Sequence, residues 1–331
     1  MHTLTPTWQH LLSNAISDPA ELLSLLNLPE EVLEPARRAA AQFPLRVPLP
    51  FIERMLKGDL NDPLLKQVLP LDQELEPVEG FTTDPLAEMQ SNPHDGLIHK
   101  YQGRVLLITT GACAINCRYC FRRHFPYQEN RLGPEQWQSI LDYIAADSSI
   151  SEVLFSGGDP LVTPDRRLKK MLHDLAEIPH LQRVRFHTRL PVVIPQRITD
   201  ELIEALTSTR LKPVVVLHSN HPNEIDATLG EALIPMQQAR IPVLNQAVLL
   251  KGVNDEVAVL KQLNERLFDV GVLPYYLFVL DPVAGSAHFD ISDQQAQALM
   301  RDLQTQLPGY LLPKLAREVP GKPSKTLLSL D

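Results

Sequence analysis

From Val105 onward, short runs of β-branched and aromatic residues alternate with stretches of helical periodicity. Each unit takes about thirty residues, the repeat of parallel strands joined through helical crossovers. The strand runs fall at residues 105–109, 153–155, 184–187, 214–217, 243–248, 275–280 and 310–315. The helical stretches fall at 134–146, 166–177, 199–207, 224–239, 255–268 and 292–307. Six or seven such units favour a (β/α) barrel, complete or incomplete, over a flat doubly wound sheet. Residues 1–95 lack the alternation. Their helical signals, at residues 8–16, Asp18-Pro19, Pro29-Glu-Glu and Asp62-Pro63, are short and broken by prolines. They predict an appendage packed on the main domain and joined to it by the acidic stretch 72–93.

Polar residues gather where the predicted strands end: Thr109-Thr110, Ser156-Gly-Gly-Asp159, His187-Thr-Arg189, His218-Ser-Asn-His221 and Asp281. Parallel strands of a barrel converge on one mouth, so five such groups together predict a site, although Thr188 and Ser219 taken singly read as caps or turns.

Composition narrows the class. The 331 residues are 44% hydrophobic and 21% charged, as in ordinary globular proteins. With 31 basic and 40 acidic residues the net charge is -9, which argues against a broad nucleic-acid footprint or an anionic membrane partner. No apolar run reaches the roughly 20 residues that span a bilayer. The start, Met-His-Thr-Leu-Thr-Pro, lacks the charged-then-apolar order of a secretory leader, so the expected location is the cytoplasm.

All three cysteines lie in one loop after the first strand run, Cys113-Ala-Ile-Asn-Cys117-Arg-Tyr-Cys120. Three closely spaced thiolates without a fourth suit a 4Fe–4S cluster in which one iron keeps an open position. The rival is a structural zinc site completed by His124. An odd number and a reducing compartment disfavour disulfides.

The spacing CxxxCxxC with Tyr119 before the last cysteine resembles the radical S-adenosylmethionine (SAM) enzymes. That resemblance implies a partial (β/α) barrel with a helical N-terminal extension, and SAM chelated to the open iron by its amino and carboxylate groups. Further stretches resemble the lysine 2,3-aminomutase family within that superfamily: Cys120-Phe-Arg-Arg123, Phe155-Ser-Gly-Gly-Asp-Pro160, Pro191-Val-Val-Ile-Pro-Gln-Arg197, His221-Pro-Asn-Glu224, Asn245-Gln-Ala-Val-Leu-Leu250 and Gly252-Val-Asn-Asp255. The resemblance runs over residues 100–325.

It implies that L-lysine is isomerised to β-lysine with pyridoxal 5′-phosphate (PLP) as second cofactor. Pro320-Gly-Lys-Pro-Ser-Lys325 stands where the family has a glycine-rich segment ending in the PLP lysine, which makes Lys325 the expected attachment point, with Lys322 as the neighbour that could replace it. Arg122 matches the arginine for the substrate carboxylate, and Asp281 and Glu318 match two aspartates for the distal ammonium. Glu318 departs by one methylene. Lys100, Tyr101 and Arg104 match the phosphate-binding stretch, Gly157 and Gly158 the backbone near the SAM amino group, and Gln246 the SAM site. On this resemblance the chain divides into an extension over 1–95, a barrel over 96–309 and a PLP-binding segment over 310–331. The ending, Leu315-Ala-Arg-Glu-Val-Pro-Gly-Lys-Pro-Ser-Lys325, and the lack of further cysteines resemble the branch that supplies (R)-β-lysine for modifying elongation factor P. The implied partners are elongation factor P, its lysine ligase and an electron donor. Two other functions compete: a mutase of free lysine in catabolism, and a non-catalytic zinc- or cluster-holding interaction protein.

Overall fold

A computed structural model describes residues 6–130 and 132–330. The N-terminal residues read above for a leader, 1–5, lie outside the described residues.

Nine strands form one sheet in strict chain order. They are β1 (Leu97–Tyr101), β2 (Arg104–Thr110), β3 (Glu152–Gly157), β4 (Arg183–Thr188), β5 (Lys212–His218), β6 (Val243–Val248), β7 (Leu273–Phe278), β8 (Lys314–Arg317) and β9 (Thr326–Leu327). Strands β2 to β8 are parallel, while β1 and β9 run antiparallel to their neighbours. β1 and β9 are the two edges of the sheet, so the barrel is open between them.

The alternation of side chains along a strand decides what each face does. One cross-strand row, Leu107, Phe155, Phe186 and Val215, is buried, with the Phe155 and Phe186 rings stacked at 4.6 Å. The adjacent row, Leu106, Leu154, Arg185 and Val214, lines an internal cavity.

The crossover helices Pro134–Ala146, Asp165–Ala176, Asp200–Thr207, Ala227–Gln238, Val257–Asp269 and Asp293–Gln304 follow the predicted pattern within a few residues. Caps explain several starts: Thr199 accepts from Leu202 N, Asp226 from Leu229 N, and Ser292 forms a capping box with Gln295. The helix expected from residue 224 begins at Ala227, because Pro222–Glu224 makes a 3-10 turn whose Glu224 carboxylate turns back to its own N-cap. The strand expected at 310–315 starts only at Lys314, after a 3-10 turn at Gly309–Leu311.

The N-terminal caps form as the dipeptides predict, Asp18 accepting from Ala20 N and Asp62 from Leu64 N and Leu65 N. These helices share one apolar core with the sheet, in which Trp8, Leu22, Phe51 and Leu64 join Phe155 and Phe186. Arg197, wholly buried, fixes that junction: its guanidinium lies 4.5 Å over the Trp8 ring and pairs with Asp165 at 2.6 Å. The acidic stretch 72–93 is more than a link, since Glu74 and Glu88 are buried against arginines of the cysteine loop and of the stretch just after it.

Candidate active site

β2 enters the cysteine loop through Gly111-Ala112, and the end of β3 presses on that turn. Gly158 N donates to Thr110 O at 2.7 Å and Asp159 N to Ala112 O at 2.8 Å. A Cβ at Gly157, whose φ is +119°, would sit 2.5 Å from Thr110 O, and one at Gly158 would collide with Ala112 O. Both glycines are therefore required by the backbone of the cysteine loop itself. The loop is cradled from the N-terminal side, with Asn116 N donating to Arg46 O and Arg118 N to Gln67 O, each at 3.0 Å.

Cys113, Cys117 and Cys120 all face the cavity. Burial and the neighbouring thiols push Cys113 well up and Cys120 to about 11. Two buried thiols whose ionisation is opposed by burial and by neighbouring sulfur fit a positively charged metal centre that would offset the repulsion. His124 instead has its Nε2 at 3.4 Å from the Ala284 carbonyl oxygen, and among the described residues no three His, Cys, Asp or Glu side chains converge as a single-ion site requires.

Behind Cys117, just past β4, lies the buried Arg189. Its Nη1 donates to Cys117 Sγ at 2.8 Å and to the Tyr119 hydroxyl, and its Nη2 donates to Gln67 Oε1 at 2.8 Å and Glu224 Oε2 at 3.0 Å. Glu224 also accepts from Asn220 N, His221 N and Gln67 Nε2 at 2.9, 3.1 and 3.1 Å. Burial works against both charges, but the partners overcome it, raising Arg189 and lowering Glu224. Asp159 locks the adjoining turn by accepting from Leu161 N, Arg189 N, Leu190 N and Thr188 Oγ1.

On another wall a ladder of alternating charge crosses the cavity. Arg122 donates to Glu88 through Nε at 2.6 Å and Nη2 at 2.8 Å, and to Ser156 Oγ through Nη1 at 2.9 Å. Lys100 Nζ stands 3.6 Å from Glu88 and 3.1 Å from Glu318, and Lys325 Nζ donates to Glu318 Oε2 at 2.7 Å. The Lys325 ammonium also lies 4.9 Å over the Phe278 ring and 5.8 Å over Tyr101. Burial would raise Glu318, but Lys325 and Lys100 pull it to about 2. Asp281 has the opposite fate: burial, then repulsion from Glu318, lift it to about 7.

Comparison with known proteins places this arrangement. The Radical SAM superfamily model matches residues 107–224. The chain is 54% identical over 320 residues to the L-lysine 2,3-aminomutase of Haemophilus influenzae, covering 97% of this chain and 95% of that one. It is 50% identical over 325 residues to the Escherichia coli protein of the same name, covering 98% and 95%. This chain belongs to the L-lysine 2,3-aminomutase family. The Clostridium subterminale L-lysine 2,3-aminomutase is 36% identical over 321 residues, covering 96% of this chain and 77% of that one. Membership in this radical SAM family carries a 4Fe–4S cluster and SAM with it, and three thiols on one loop facing one cavity fit the ligand set of that cluster.

The thirteen residues singled out from the aminomutase resemblance and the cysteine motif all line one cavity of about 750 Å³. Lys322, the rival of Lys325, is exposed and does not line it. Sequence reasoning passed over four residues that organise this cavity. Arg189 and Glu224 stood inside marked stretches without a role, whereas Glu88 and Gln67 carried no local signal. Ser219, grouped with the polar strand ends, does not line the cavity; its backbone pairs with the Asn245 amide, N donating to Oδ1 at 2.9 Å and O accepting from Nδ2 at 3.0 Å. His187 is of the opposite kind, an imidazole on the cavity wall whose buried Nε2 has no partner.

Proposed function

We propose that this chain moves the α-amino group of L-lysine to the β-carbon, using SAM on a cluster held by Cys113, Cys117 and Cys120 and PLP held by Lys325. The observation that carries it is one cavity presenting three thiols, an amine on a hinge of Glu318, an arginine fork at Arg122 and two acids. A lysine substrate offers one carboxylate and two amines, and this is the complementary set. PLP also fits the residues present: Lys325 supplies the amine, and Lys100 and Arg104 supply cations for a phosphate beside the Tyr101 ring.

When bound, the reduced cluster with SAM would supply carbon-radical chemistry at Cys113, Cys117 and Cys120, and PLP on Lys325 would supply a conjugated system able to spread an unpaired electron. The protein's part is to bind, orient and exclude water. Arg122 takes the carboxylate, and Asp281 and Glu318 receive the distal ammonium. Glu318, which now accepts from Lys325 Nζ at 2.7 Å, would be freed toward the ligand were Lys325 to carry PLP. Phe278, Leu280 and Tyr119 close the wall around the reacting carbons. The resemblance carried by Leu315 to Lys325 supports the finer assignment, (R)-β-lysine destined for elongation factor P.

The test is anaerobic reconstitution with iron, sulfide, PLP, SAM and dithionite, followed by assay of L-lysine, L-glutamate and lysyl-modified elongation factor P. Formation of β-lysine is expected; preference for another amino acid overturns the substrate, and a colourless zinc protein overturns the chemistry.

Asp281 makes this pH-dependent. Its native pKa lies above its unfolded value, so it binds its proton more tightly when folded, and the stability it lends is lost as pH rises through about 7. A substrate ammonium needs the ionised form. KM for lysine is therefore expected to fall as pH rises through about 7, and Asp281→Asn to flatten that profile while raising KM.

A further inference from the structure

Glu88 comes from the acidic stretch that precedes the sheet, yet it is 4% exposed and lines the cavity. Its two oxygens take Arg122 Nε at 2.6 Å and Nη2 at 2.8 Å, a side-on bidentate pair, while Ser156 Oγ takes Nη1 at 2.9 Å. A guanidinium has five N–H groups. Glu88 uses two and Ser156 one, so one on each terminal nitrogen remains. Because the guanidinium is planar, fixing one edge fixes the direction of the rest.

We propose that Glu88 is a positioning residue for the substrate carboxylate: it pins one edge of Arg122 so that the remaining N–H groups are aimed into the cavity before lysine arrives. This rests on the proposed role of Arg122. Two effects compete when Glu88 is neutralised. Losing the acid leaves Arg122 a stronger bare cation, which favours any anion. It also frees a long side chain that then samples many rotamers. In a buried site the direction of the fork decides, because bidentate capture requires both N–H groups on one ligand plane. Glu88 also stands 3.6 Å from Lys100, so it ties the carboxylate end of the site to the cation pair on Glu318.

The experiment compares L-lysine with L-lysinamide, which lacks the carboxylate charge, as substrate and as competitor. In the holoenzyme, Glu88→Gln should raise KM for lysine about tenfold, one decade of affinity, while leaving lysinamide inhibition unchanged. Poorly oriented lysine should also release more 5′-deoxyadenosine per β-lysine formed. Glu88→Asp keeps the charge but shortens the reach, and should fall between wild type and glutamine. If Glu88→Gln does not fold or load its cluster, Glu88→Asp carries the test with the same two ligands. A lysine-to-lysinamide ratio that is unchanged or increased overturns the proposal. Arg122→Lys separates the two levels: if it too leaves the ratio unchanged, the carboxylate role of Arg122 fails; if it collapses the ratio while the Glu88 variants do not, only the role of Glu88 fails.

Discussion

Replacing Lys325 with alanine should cut turnover by at least about 10³-fold, equivalent to about 4 kcal/mol of barrier, and remove the near-visible absorption of lysine-linked PLP while leaving the iron–sulfur spectrum intact. The reason is positional. Of the two lysines in Pro320–Lys325, only Lys325 lines the cavity, where Glu318 holds its Nζ at 2.7 Å and the Phe278 and Tyr101 rings cover it. Lys322 sits three residues earlier in an exposed turn, its backbone N donating to Val319 O at 3.2 Å. Lys322→Ala should keep both the PLP absorption and most of the activity. Survival of the absorption in Lys325→Ala, with its loss in Lys322→Ala, would reverse the assignment.

The second large effect concerns stability. Glu224→Ala or Arg189→Met should each destabilise the fold by about 3–5 kcal/mol, because either change strands a buried charge in a low-dielectric setting. Arg189 and Glu224 side chains are 6% and 0% exposed, and each holds further partners that cannot turn to water. Denaturant melts of the apoprotein measure the cost. The double replacement should cost less than the sum of the two, since it removes both charges at once. Additive losses would mean that the two side chains act independently despite their 3.0 Å contact.

How much of this was legible beforehand depended on how long each signal was. β6 was expected at residues 243–248 and forms there, an apolar run broken only by Asn245-Gln246 whose burial alternates from residue to residue once it joins the sheet. β1 and β9 were missed. Leu97–Tyr101 is set apart from β2 only by a tight turn with Gly103 at φ 79°, and a two-residue strand such as Thr326–Leu327 has no period to read. The cysteine loop announced itself by spacing, and resemblance marked the residues that gather around it. Glu88 and Gln67 could not be found that way, because each acts on a partner far along the chain, Glu88 on Arg122 and Gln67 on Arg189. Gly157 and Gly158 were flagged for approach to a cofactor, and the geometry adds a nearer cause in the carbonyls of Thr110 and Ala112.

The open side of the sheet has a mechanical consequence. Its two edges meet through side chains alone: Lys100 on β1 and Lys325 just before β9 both grip Glu318, which follows β8. A seam sewn with backbone ladders would have to unravel to let anything through. A clasp of two lysines on one carboxylate unfastens by rotation about side-chain bonds and refastens around whatever phosphate or ammonium has slipped between. The seam is thus held by the very groups proposed to bind the cargo, and how tightly it is held should depend on whether the cargo is bound.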